Sequence, residues 1–157
     1  MKPTLYLETT VPSYYVARPS RDIIVAAQQE CTREWWERRR RDFDIHISQV
    51  VLDEVKVGDA EMARQRMELI KPFPLLTLND DATELTAALI HQGPLPVKAA
   101  RDAAHIAVAA VFGMHFLLTW NCTHIANAAM FEKVRAICGQ QGFSCPVICT
   151  PNELLAK

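Results

Sequence analysis

No Cys-x-x-Cys pair occurs anywhere in this 157-residue chain. Its five cysteines (Cys31, Cys122, Cys138, Cys145 and Cys149) are odd in number and scattered. That argues against a zinc site or a disulfide framework and for free thiols in a reducing compartment. An apolar run of membrane-spanning length is missing, as is a basic start followed by an apolar signal core. The expectation is a soluble, cytoplasmic protein without a membrane partner. Charge of one sign is missing too: 17 basic and 18 acidic residues leave a net −1, which nominates no partner. There is no internal repeat, no low-complexity linker, no G-x-S-x-G elbow and no P-loop lysine, so a protein nucleophile or a phosphate-cradling loop has no support.

What is present is an ordinary globular composition, 50% hydrophobic and 22% charged. The length suits one domain, 1–157, with a sizeable core. "TLYLETTVPSYY" reads as a strand over 4–7 followed by a turn. No Gly or Pro interrupts 21–41, and Ile23, Ala27, Cys31 and Trp35 recur at helical spacing, predicting one long helix. A second strand follows at 43–47. Ser48 suits the N-cap of a helix that carries Val51, Leu52 and Val55 inward and stops at Gly58. Residues 60–71 continue as helix up to Pro72. A short strand in "PLLTL" precedes a helix running from an Asn79 or Asp80 cap to Gly93, and 94–98 is a loop. The small, apolar "AARDAAHIAVAAVFG" (99–113) predicts a buried helix ended by Gly113. Then come a strand in "MHFLLTWN", a helix in "HIANAAMFEKVRAICGQQG", a strand in "CPVICT" and a last helical turn in "PNELLAK". Alternating strands and helices imply an α/β fold: three layers, α/β/α, around a mainly parallel sheet.

In such sheets ligands sit beyond the carboxyl ends of the strands. Glu8 directly follows the first strand, and Asn121 follows "FLLTW". Glu54 lies in the helix after the second strand, and Asp102 near the start of the helix that leads to "HFLLT". Each has a bland explanation: a turn acid, a surface ion-pair partner, an acid favoured at a helix N-terminus, a helix cap. Together they are harder to explain away, because three carboxylates on one rim repel unless a cation sits among them. An oxygen-only ligand set favours a hard ion, Mg²⁺ or Mn²⁺.

"LYLETTVPSYY", "ISQVVLDEV", "KAARDAAHIAVAAVFGMHFLLTWNCTHIAN" and "PVICTPNELL" together resemble a PIN-domain protein of the VapC-like toxin type, from residue 4 to 155. The order and spacing of the motifs carry the resemblance more than any one of them. It implies a parallel sheet flanked by helices and a Mg²⁺- or Mn²⁺-dependent ribonuclease, the toxin of a type II toxin–antitoxin pair. Its acidic positions fall on Glu8, Glu54 (rather than Asp53) and Asp102, and its variable fourth polar position on Asn121. These four are the expected catalytic residues and metal ligands. Its small hydroxyl residue falls on Thr9, beside the substrate. Two departures stand out: Glu8 is one methylene longer than the usual Asp, and Asn121 is neutral where an acid is common.

For the RNA backbone, Lys98 and Arg101 are nearer the site than the basic run over 33–41, which is otherwise a solvated helix face. His105 is expected to support Asp102, and His124 to be structural. Trp35 and Trp36 occupy different faces of their helix, so one of them is expected at the surface, marking a homodimer or antitoxin contact. The competing expectation is a catalytically degenerate fold that only binds RNA or protein. A phosphoryl-transfer receiver fits worse, because Glu8 and Asn121 stand where an Asp nucleophile would be needed.

Overall fold

The computed structural model describes residues 1–156. Five strands form one sheet: β1 (Thr4–Leu7), β2 (Asp44–Ser48), β3 (Leu75–Leu76), β4 (Phe116–Leu118) and β5 (Val147–Cys149). Their spatial order is β3-β2-β1-β4-β5, and every pairing is parallel. The sheet is thus wholly rather than mainly parallel. Successive connections run one way from β1 to β2 and β3, then return to its other side with β4. The chain therefore reverses its winding between β1 and β4, the place where sheets of this kind form a crevice at the carboxyl edge.

Seven α-helices complete the α/β architecture: α1 (Thr10–Val16), α2 (Ile23–Arg38), α3 (Gln49–Val55), α4 (Ala60–Ile70), α5 (Asp80–His91), α6 (Ala100–Val111) and α7 (Phe131–Gln140). Helix α1 packs on α2 and α4, while α5 packs on α6 and α7. With both faces covered, β1 is buried on both sides, and Leu5, Tyr6 and Leu7 have no exposed surface. Residues 103–110 of α6 are likewise all buried, as expected for a helix that is apolar all round. Gly113 ends it with φ +66°, a left-handed conformation that a residue with a Cβ rarely adopts.

The helix α1 replaces the expected turn after β1. Pro12 sits in its first turn, where backbone N–H groups have no intrahelical partner, so the proline is tolerated rather than disruptive. The helix expected over 21–41 is shorter. It starts after Asp22, whose carboxylate accepts from the N–H groups of Ile24 and Val25, and gives way to a 3₁₀ turn at Arg40–Asp42. Ile23 consequently lies outside the core, 84% exposed. The helix expected from His124 begins only at Phe131, after turns and a 3₁₀ segment, Ala128–Met130.

Neither Trp35 nor Trp36 is at the surface, against expectation. The four buried residues of α2, Gln29, Thr32, Trp35 and Trp36, lie on one side of the helix, and that side is wide enough to take both indoles. Trp35 packs on Phe43 and Trp36 on Tyr15 and Phe73, with the Arg40 guanidinium 4.9 Å above the Trp36 ring. Most of the basic run is engaged locally: Arg33 pairs with Glu30, Arg38 with Glu34, and Arg39 with Asp42 and three carbonyls of the chain's end. Among the described residues no helix is long and apolar enough to cross a membrane.

Candidate metal centre

Four elements meet at the carboxyl edge. Strand β1 ends at Leu7 and hands Glu8 to the rim, while β4 does the same for Thr119. Backbone pairing continues one step past the strands, with the Glu8 N–H donating to the Leu118 carbonyl at 3.1 Å and the Thr119 N–H to the Cys149 carbonyl at 3.0 Å. From the other side, α3 brings Glu54 and α6 brings His105. One ligand-capable atom from each of Glu8, Glu54 and His105 lies within 4.8 Å of the others.

Glu8 is 3% exposed, an unusual place for a carboxyl group. Its Oε1 accepts from the Thr10 N–H at 3.1 Å, from the Thr10 hydroxyl and from the Thr119 hydroxyl at 2.7 Å. Both hydroxyls are themselves polarised. The Trp120 N–H donates to Thr10 Oγ1 at 2.8 Å, and the Asn121 N–H to Thr119 Oγ1 at 2.9 Å. Burial nevertheless pushes the Glu8 carboxyl above its ordinary range; His105 and the donors from Thr10 and Thr119 only partly offset it.

Glu54 is held differently. Its Oε1 accepts from the Thr9 hydroxyl at 2.6 Å and from His105 Nε2 at 2.6 Å. Partial burial pushes its pKa up, but the His105 hydrogen bond and charge outweigh that, helped by Thr9 and the charge of Arg101, and the net shift is downward. Behind His105, Nδ1 lies 2.7 Å from the Tyr6 hydroxyl, which lies 2.7 Å from Ser48 Oγ. Burial raises the Tyr6 pKa, so the phenol keeps its proton. Ser48 therefore bonds to Tyr6 rather than capping α3 with its side chain.

Asp102 stands in the first turn of α6, outside the close group, with Oδ2 3.0 Å from His124 Nδ1. The imidazole expected beside Asp102 is thus supplied by His124, while His105 faces Glu54. His105 has no exposed surface and meets Tyr6 of β1, whereas Asp102 is half-buried and meets His124 of the loop after β4. The Asn121 side chain accepts from the His124 N–H at 3.0 Å, the cap role of its bland explanation. Thr9 reaches Glu54. Lys98 and Arg101 are exposed just before and within the first turn of α6.

The donor chemistry suits a hard cation. At each glutamate every recorded hydrogen bond goes to Oε1, so Oε2 accepts none among the described residues. Carboxylate oxygens on a partly solvated rim are what Mg²⁺ and Mn²⁺ take. Sequence reasoning missed Tyr6, Ser48, Thr10 and Thr119. A tyrosine in a fully buried strand and a histidine in a fully buried helix were the available signal, since each needs a partner there.

No family model matches the chain, and no curated protein sequence does. Among solved structures it is similar to a chain in the crystal structure of VapBC2 from Rickettsia felis bound to a DNA fragment from their promoter. The two share 15% identity, with a TM-score of 0.59 over 94% of this chain and 98% of that one. The class defined by fold and topology is therefore a three-layer α/β protein with a five-stranded, all-parallel sheet. At that identity, the likeness to the VapBC2 chain is one of fold.

Proposed function

We propose that this protein is a Mg²⁺- or Mn²⁺-dependent endoribonuclease, the toxin of a type II toxin–antitoxin pair. The observation that carries it is the convergence of Glu8 and Glu54 at the carboxyl-edge crevice, each pinned through one oxygen with the other left open. Glu8, Glu54 and Asp102 would hold the ion, directly or through water, with Asn121 supplying a neutral oxygen. When bound, such an ion lowers the pKa of a coordinated water and neutralises charge on a scissile phosphate. Thr10 and Thr119 keep Glu8 aimed, and Thr9 and His105 do so for Glu54. A carboxylate of this rim, Asp102 or Glu8, would take the proton of the attacking water. Arg101 and Lys98 bind the RNA backbone as exposed cations beside the acids. An antitoxin and a second copy of the chain are the expected protein partners in the cytoplasm. Exposed Ile23 and Ile24 at the start of α2, rather than Trp35 or Trp36, offer apolar surface to them.

The degenerate alternative, binding without cleavage, draws on one observation: the Asn121 side chain is engaged as a cap. Metal titration with cleavage of structured RNA as readout separates the two. Cleavage that requires Mg²⁺ or Mn²⁺ and is lost in Glu54→Gln and Asp102→Asn is expected; RNA binding without cleavage in either metal overturns the nuclease proposal.

A further inference from the structure

Four side chains form one buried polar line, Ser48–Tyr6–His105–Glu54, with successive separations of 2.7, 2.7 and 2.6 Å. Ser48, Tyr6 and His105 are each 0% exposed, and only the Glu54 end of the line meets solvent. The line has a direction imposed at one end. A carboxylate only accepts, so His105 Nε2 must carry the proton it shares with Glu54 Oε1. An imidazole nitrogen that carries a proton has no lone pair for a metal. Yet His105 belongs, with Glu8 and Glu54, to the group of ligand-capable side chains at this edge, and Nε2 is its nitrogen on the Glu54 side. A histidine with two carboxylates would be a mixed nitrogen–oxygen site, suited to softer ions such as Zn²⁺; the two carboxylates alone suit Mg²⁺ or Mn²⁺.

What decides between these is whether the ring can turn. The edge-on packing of His105 against Tyr6, ring centroids 5.6 Å apart, and the Nδ1 bond to the phenol hold it from behind. Without the phenol oxygen, Nδ1 is a buried polar atom with no partner, and only the single bond to Glu54 then holds the ring in place.

We propose that Tyr6, backed by Ser48 and acting through His105, is a positioning residue that sets the metal preference of the site. It commits the imidazole to donating to Glu54, which aims that carboxylate and withholds the nitrogen from the cation. The inference rests on the metal-centre assignment above. It extends it by making His105 a donor to a ligand instead of a ligand, and by giving a role to a tyrosine that touches neither metal nor substrate.

The test uses the whole 157-residue chain, Mg²⁺, Mn²⁺ and Zn²⁺ each alone as probes, and ¹⁵N-edited NMR of the imidazoles. In the wild type, the His105 Nε2 proton is present without metal and is retained when the site is saturated with Mg²⁺. Tyr6→Phe, which removes one oxygen, speeds exchange of that proton and weakens Mn²⁺ binding by about 10-fold, while Zn²⁺ binding is held or gains. Ser48→Ala moves both readouts the same way by a smaller factor and serves should Tyr6→Phe fold poorly. In a His105→Gln background, Tyr6→Phe has no further effect on Mn²⁺ affinity, which separates positioning through His105 from general loss of packing. Loss of the Nε2 proton on Mg²⁺ binding, wild-type Mn²⁺ affinity in Tyr6→Phe, or additive effects in the double variant each overturn the proposal while the metal centre stands. A wild-type protein that binds neither Mn²⁺ nor Mg²⁺ overturns the metal centre itself, and the proposal with it.

Discussion

Glu8 and Glu54 face the same crevice, are of the same residue type, and each receive their hydrogen bonds on a single oxygen. Their environments nonetheless push them in opposite directions. Glu8 is buried among uncharged donors, a backbone N–H and two threonine hydroxyls, and its pKa rises because hydroxyls and amides do not replace the lost hydration of a charge. Glu54 keeps more contact with solvent and gains a histidine partner and a nearby arginine, and its pKa falls. The difference teaches that the rim is built from two parts. One carboxylate is stored at a cost in stability that a bound cation would relieve, and the other is already compensated by the protein.

The sharpest way to break this comparison is to remove both charges in turn. Glu54→Gln and Glu8→Gln are each expected to lower metal-dependent RNA cleavage by about 10²–10³-fold, as loss of a preorganised electrostatic partner does; an effect from only one would deny that they share a cation. Next in size, Thr119→Val leaves Glu8 with one fewer donor in a buried setting. It should destabilise the protein by about 1–3 kcal/mol in urea unfolding, whereas Thr9→Val, on the more exposed Glu54, should cost less. The two glutamine variants should then part company in metal-free calorimetry near neutral pH. Glu8→Gln removes a penalised charge and should raise Tm by about 2–4 °C, and Glu54→Gln should lower it. Equal shifts would mean that the two environments are not distinct.

The smallest effect is the pH dependence. A carboxyl whose folded pKa is raised, as for Glu8, destabilises the folded state increasingly from its ordinary pKa up to the raised value, and fully above it. The advantage of Glu8→Gln over wild type should therefore fade as pH falls through that window. A carboxyl whose folded pKa is lowered, as for Glu54, contributes stability above its ordinary pKa and loses it as pH falls through the depressed value. The deficit of Glu54→Gln should persist to more acidic pH. Urea unfolding of the three proteins across the acid range, without metal, reads both trends.

Much of the fold was legible in the chain itself. Short β-rich runs at Thr4–Leu7, Asp44–Ser48 and Phe116–Leu118 alternate with helical stretches, and period and punctuation mark such elements locally. The misreadings came where neighbours overrule local signals. Pro12 reads as a stop yet fits a first helical turn. Ser48 reads as a cap, yet its hydroxyl finds a buried tyrosine. Trp35 and Trp36 read as facing different ways, yet a single wide buried side of α2 takes both.

Of the candidate site, the residue types and their rim were legible because strand ends of a parallel sheet point one way. The sequence alone thus determined an α/β chain with Glu8, Glu54, Asp102 and Asn121 at the carboxyl edge of its strands. Only the tertiary structure decided which histidine serves which acid, His105 for Glu54 and His124 for Asp102, and that Tyr6 and Ser48 stand behind the first. Those pairings span 22 to 99 positions along the chain. Local periodicity reaches only a few turns, and contacts at such separation exist only once the sheet has brought its edges together.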